Sequence, residues 1–136
     1  MHSSNSHRPR MAIISSYFEG ETYGLLGPQM AATLIRQQTP YDCIVIGVTR
    51  QDRPDALVKV LFDYFGSQRP LIGFSTLSGR EDLFVLAGEL KEQGARTILA
   101  GPQADVDFKG ERKWPQHDHR FKGFSANFSM ALQGPG

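Results

Sequence analysis

The chain is poor in reactive and metal-binding side chains: one cysteine, one tryptophan and four histidines in 136 residues. A single thiol, Cys43, excludes an internal disulfide and any Cys-x-x-Cys pair, so a zinc clasp or a thioredoxin-type redox centre is not available. Cys43 lies in the apolar run Cys43-Ile44-Val45-Ile46, which predicts a buried, inert thiol and fits a reducing compartment. The polar leader Met1 to Arg10 lacks the apolar core of a secretory signal. No apolar run approaches the roughly 20 residues needed to cross a bilayer. An excess of one charge is also missing: 15 Lys and Arg stand against 14 Asp and Glu, a net charge of +1, with no basic stripe. Nucleic acid and membrane are therefore not expected partners, and the expectation is a soluble, cytoplasmic domain.

Other absences remove particular chemistries. There is no Gly-x-Gly-x-x-Gly fingerprint and no Gly-Lys-Ser/Thr ending of a P-loop. A receiver domain would need acidic residues after its first strand to hold magnesium, and Ser15 and Ser16 stand there instead. His117 and His119 flank Asp118 in a charged, irregular stretch, where solvated loop residues are expected rather than metal ligands.

The remaining composition is that of a globular domain, with 40% apolar and 21% charged residues. Its length suits one domain, over 11–136 behind the leader at 1–10. Four short, continuous apolar bursts recur at Met11-Ala12-Ile13-Ile14, Cys43 to Ile46, Leu71-Ile72-Gly73-Phe74 and Thr97-Ile98-Leu99-Ala100. A weaker one spans Phe121 to Phe124, and Met130-Ala131-Leu132 offers a sixth. Continuous rather than alternating bursts mark strands buried on both faces, as in a parallel sheet covered by helices.

Helical spacing links the bursts. Met30, Ala31, Leu34 and Ile35 predict one apolar stripe; Leu57, Val58, Leu61, Phe62 and Phe65 a second; Leu83, Leu86, Ala87 and Leu90 a third, stopped near Gly94. Asp52 and Pro54 suit a helix start, and Ser78-Gly79-Arg80-Glu81 suits a capping box. The β-α-β-α-β-α-β order predicts a flavodoxin-like (Rossmann-like) α/β fold: a doubly wound parallel sheet of about five strands between two helical layers. From Asp105 to Arg120 the pattern breaks, which predicts a long loop or a degraded fourth helix, with Trp114 as a loop anchor.

Such sheets bind ligands outside the carboxyl ends of their strands. The loops there read Ser15-Ser16-Tyr17 after the first strand, Ser75-Thr76-Leu77 after the third and Gly101-Pro102-Gln103 after the fourth, with Gly134 at the final edge. Hydroxyls beside a helix start offer donors and acceptors, and Gly101 lets a flat ligand approach the backbone. The same residues also serve as ordinary caps and turns, so both readings stand. Tyr17, Phe18 and Tyr23 can wall a large flat ligand or pack against another domain.

Leu71-Ile72-Gly73-Phe74-Ser75-Thr76-Leu77, a helix reaching Leu90-Lys91, and Ile98-Leu99-Ala100-Gly101-Pro102-Gln103 resemble the cobalamin-binding domain that precedes radical SAM domains. The Ser75 to Leu77 step matches that family's Ser-x-Leu, and Ala100 to Gln103 its Gly-Gly-Pro-His-like step with one glycine replaced. Gly24-Leu25-Leu26-Gly27-Pro28 is similar to the family's first helix opening, and Leu132 to Gly136 loosely to its closing Gly-Glu-Gly-Glu step, with Pro135 out of pattern. The resemblance covers nearly all of 11–136. The Asp-x-His-x-x-Gly that supplies an axial histidine in related domains is missing, since Tyr17 and Phe18 occupy its place.

The resemblance thus implies base-off cobalamin without histidine ligation, its tail threaded near Ser75 and Gly101. It implies a radical SAM parent, methyltransferase-like, whose downstream domain holds the iron–sulfur cluster and S-adenosylmethionine. On that reading the chain is a non-catalytic, N-terminal module, and the natural sequence continues past Gly136 into a three-cysteine motif. The alternative from another class is a cofactor-free docking domain of the same fold. It would pair with that neighbour, or with itself as a homodimer, through the Tyr17 to Tyr23 loop and the Phe124 to Phe128 edge.

Overall fold

The computed structural model describes residues 8–16, 25–75, 80–100 and 128–131. Strands β1 (Arg10–Ser16), β2 (Asp42–Val48), β3 (Leu71–Ser75), β4 (Arg96–Leu99) and β5 (Met130–Ala131) alternate with helices α1 (Leu26–Gln38), α2 (Pro54–Phe65) and α3 (Glu81–Glu92) up to β4. All four strand pairings are parallel, and the order is β2-β1-β3-β4-β5. This is the flavodoxin-like order, which reverses direction between β1 and β3.

The pleat of β1 separates two cores. Ala12 and Ile14 join Ile72, Phe74 and Leu99 beneath α2 and α3, whereas Met11 and Ile13 join Cys43 and Val45 beneath Ala32 and Ile35 of α1. Helix α1 therefore covers one face, and α2 and α3 the other, as right-handed crossovers require on either side of a reversal. Both faces of β1 are buried, which is why its sequence is continuously apolar.

The helices follow their sequence stripes to different degrees. In α3, Leu83, Leu86, Ala87 and Leu90 are all buried, with Phe84 beside them, and Gly94 follows at φ +100°. In α2, Leu57, Leu61 and Phe65 point inward, while Phe62 lies near the surface. Pro54 opens α2 as its first residue, but Asp52 caps the preceding turn instead: its carboxylate accepts from the Thr49 backbone N–H at 2.7 Å.

Helix α1 departs most from its stripe. Pro28 and Ala32 face the sheet with Ile35 beside them, whereas Met30 and Leu34 are 58% and 52% exposed. Two apolar rows share this helix, and burial went to the row with the small alanine, which lets the helix approach closely.

The last strand is Met130–Ala131, at the position of the sixth burst; the weak burst Phe121 to Phe124, the Asp105 to Arg120 stretch, Trp114, His117 and His119 lie outside the described residues. Two residues hold a strand position because their approach is pinned. The Ser129 N–H donates to Thr97 Oγ1 at 3.0 Å, the Thr97 N–H donates to Ser129 Oγ at 3.1 Å, and Lys91 Nζ donates to the Phe128 carbonyl. Phe128 then sits edge-on against Phe74 and Phe84, with ring centroids 5.3 and 5.7 Å away. It is a core residue and not part of an exposed docking edge.

Phe74 anchors this aromatic cluster, so Phe74→Ala is expected to lower the unfolding free energy by about 3–5 kcal/mol in urea titrations. Val60→Ser, on the outer side of α2, should stay within about 0.5 kcal/mol of the parent.

Candidate functional site

The reversal in strand order places the ends of β1 and β3 side by side, with Ser15 opposite Ser75 in the register. The Ala100 N–H donates to the Phe74 carbonyl at 3.0 Å, so the chain leaves β4 directly beside β3. The carboxyl ends of β1, β3 and β4 thus stand in a row. Of the ten candidate binding residues, Ser15, Ser16 and Ser75 are described; Tyr17, Thr76, Leu77, Gly101, Pro102, Gln103 and Gly134 lie outside the described residues.

Ser15 and Ser16 are buried, at 0% and 2% exposure, and Ser75 is half-buried. Ser15 Oγ donates to the Ser16 carbonyl at 3.4 Å, a long, weak bond. By the pleat, Ser15, Gly73 and Ser75 share the face covered by α1, which makes a row of small side chains on β1 and β3. A Cβ at Gly73 would come within 3.3 Å of the Met11 methyl, a tight contact that the methionine would have to relieve by a small shift.

The sequence reading missed Arg80. It occupies the N-cap position of α3, where the capping box would require Ser78, and it makes no capping bond. Its side chain is the largest of the fully buried ones, at 2% exposure. Arg80 Nε and Nη2 donate to Asp82 Oδ1 and Oδ2 at 3.0 and 2.9 Å, a bidentate pair. Nη1 and Nη2 donate to the Val48 and Thr49 carbonyls at 3.0 and 3.3 Å, where β2 ends. One guanidinium thereby ties the start of α3 to the end of β2, although β1 separates β2 from β3 in the sheet. The signal was legible: a cation at a helix N-terminus opposes the helix dipole, so its presence implies another partner, and Asp82 follows two residues later.

The pair is electrically neutral, and the Arg53–Asp55 pair at the start of α2 balances in the same way, so this end of the sheet combines hydroxyls with paired charges. No group of three or more metal-ligating side chains occurs among the described residues. These residues also contain no histidine. Such a surface suits a large ligand bonded through neutral amides and hydroxyls. It offers little to a free anion, because the Arg80 charge is already answered.

The arrangement defines a Rossmann-like α/β domain whose strand order reverses between β1 and β3. No family model, curated protein or solved structure matches the chain. Among the described residues, no helix is long and apolar enough to cross a membrane.

Asp82 is held below the ordinary carboxylate range, first by the Arg80 hydrogen bond. A depressed native value stabilises the fold above the unfolded value, near pH 4 (about 3.9 for a free aspartate), and that stabilisation disappears as pH falls through the native value. Asp82 is half exposed, so the effect is at most about 1 kcal/mol after screening. The stability difference between the parent and Asp82→Asn should be constant above about pH 5 and vanish in acid, read from urea midpoints at each pH. Arg80→Met leaves two strand-end carbonyls without their donor and should cost about 2–4 kcal/mol by the same measurement.

Burial pushes the Cys43 thiol up, against a smaller opposing pull from Arg36. Ellman's reagent at pH 8 should leave the native thiol unmodified over an hour and titrate one thiol per chain in denaturant.

Proposed function

We propose that the chain is a cobalamin-binding module of a radical SAM enzyme, holding the cofactor base-off and without histidine ligation. The observation that supports this best is the Ser15–Ser75 register pair at the strand reversal, with the β4 exit beside it. The steps Ser75-Thr76-Leu77 and Ala100-Gly101-Pro102-Gln103, which carry the resemblance, leave from those adjacent strands. The pairing of the charges at this end suits a macrocycle fringed with neutral amides, and the small residues Gly73 and Ser75 suit an extended tail lying along the sheet. Cobalamin, when bound, supplies methyl-transfer chemistry. The chain's own residues bind and orient it, with Arg80 tying the start of α3 to the end of β2. The iron–sulfur cluster and S-adenosylmethionine belong to a downstream domain, and this chain alone catalyses nothing.

One observation favours a second reading, a cofactor-free docking domain. Ser15 and Ser16 are closed off from solvent, while α1 exposes the apolar row Leu26, Met30 and Leu34.

Titration of the chain with hydroxocobalamin, followed by absorbance, separates the two. A saturable spectral change that lacks the signature of histidine ligation, and that Ser75→Trp weakens at least tenfold, is the expected result. A spectrum equal to the sum of free cofactor and protein overturns the cobalamin reading and leaves the docking domain.

A further inference from the structure

The opposite end of the sheet carries a different chemistry. Where β1, β3 and β4 begin, an open hollow of about 440 Å³ is lined by Pro9, Arg10, Tyr41, Ser67, Arg69 and Arg96, together with the Gln68 clamp. Three arginines line it, and no carboxylate does among the described residues. The neighbouring Arg8 is paired with Asp42 at 3.1 Å, and Arg10 also lines a second hollow that contains Asp42 and Asp63.

Two of the three arginines are held in place. Arg10 donates through Nη1 to the Tyr64 carbonyl near the end of α2, and its guanidinium lies 5.6 Å from the centre of the Tyr64 ring. Arg69 donates through Nε to the Gly94 carbonyl beyond α3, at 2.6 Å. Each spends one N–H on a helix end and keeps the others without a partner among the described residues. The floor is fixed as well: Gln68 accepts from the Arg10 N–H at 2.8 Å and donates to the Arg8 carbonyl at 2.8 Å, and the Arg96 N–H donates to the Pro70 carbonyl. Arg96, in contrast, is exposed, and its side chain makes no hydrogen bond or ion pair among the described residues.

We propose that this hollow binds the phosphate group of a small phosphorylated molecule, with Arg10 and Arg69 as a preorganised floor and Arg96 as the arm that closes on the anion. Guanidinium forks match phosphate oxygens two at a time, and holding two of them beforehand removes part of the ordering cost of binding. Three arginines around one hollow repel one another, and a doubly charged anion relieves that repulsion. The hollow's size is that of a small-molecule site rather than of a track for a polymer. Ser67 adds a hydroxyl donor. This assignment is independent of the cobalamin reading, because it uses the other end of every strand.

The test uses the full chain with inorganic pyrophosphate as the probe, against sodium chloride at matched ionic strength, read as the thermal midpoint. The expected result is a saturable rise in midpoint with pyrophosphate, reaching half its value below about 1 mM. Arg96→Ala should abolish the rise while leaving the midpoint in chloride within about 2 °C of the parent, since Arg96 holds nothing else. Arg96→Lys, which keeps the charge but loses the fork, should retain a weakened rise. Equal midpoints in pyrophosphate and chloride overturn the proposal, and so does a rise that Arg96→Ala leaves intact. Co-sedimentation with phosphatidate vesicles in the absence of any pyrophosphate response overturns it too, by moving the site's partner from a small molecule to a lipid surface.

Discussion

The handedness of the crossover connection is the constraint from which the rest of this structure follows. A parallel strand pair joined through a helix closes in one sense only. The chain steps from β1 to β2 on one side and then returns past β1 to β3 on the other, so α1 must lie on the opposite face from α2 and α3. Ser15 and Ser75 are neighbours at the strand reversal because of this topology, although 60 positions of sequence, roughly, lie between them.

The same connectivity polarises the molecule. Each helix begins near the carboxyl ends of the strands and ends near their amino ends, so positive helix termini gather at one edge of the sheet and negative ones at the other. Arginine is distributed accordingly. Arg36 closes α1 and donates to the Cys43 carbonyl at 2.8 Å, Arg10 reaches the end of α2, and Arg69 reaches the chain just beyond α3. Arg53 and Arg80 are exceptions, cations at the starts of α2 and α3, and each charge is answered within two residues by Asp55 and Asp82. One edge therefore holds hydroxyls and paired charges, and at the other three arginines line a hollow. The two proposed ligands, a neutral macrocycle and a phosphate group, divide between the edges on that basis.

Interior packing was legible wherever burial is one-sided and periodic. The stripe of α3 and most of that of α2 were readable because each helix has a single apolar face, and the parallel sheet because β1 and β3 are apolar without alternation. Helix α1 was misread for the complementary reason: it carries two apolar rows, and spacing alone does not say which one meets the sheet. Arg80 was passed over as part of a capping pattern, because its partners at Val48 and Thr49 lie some 30 positions away. Phe128 was assigned to an edge, since nothing local announces the pocket that Phe74 and Phe84 form for it.

What the sequence determined by itself was the alternation of strands and helices, the burial of Cys43 and the hydroxyl-rich character of the strand exits. Hydrophobic periodicity and turn chemistry act over a few residues, so a linear reading recovers them. Tertiary structure alone decided the register of Ser15 against Ser75, the choice of α1's inner row, the clasp of Arg80 and the gathering of Arg10, Arg69 and Arg96 around one hollow. Each of these depends on which distant segments the sheet order brings together, and that order is a property of the whole packed chain.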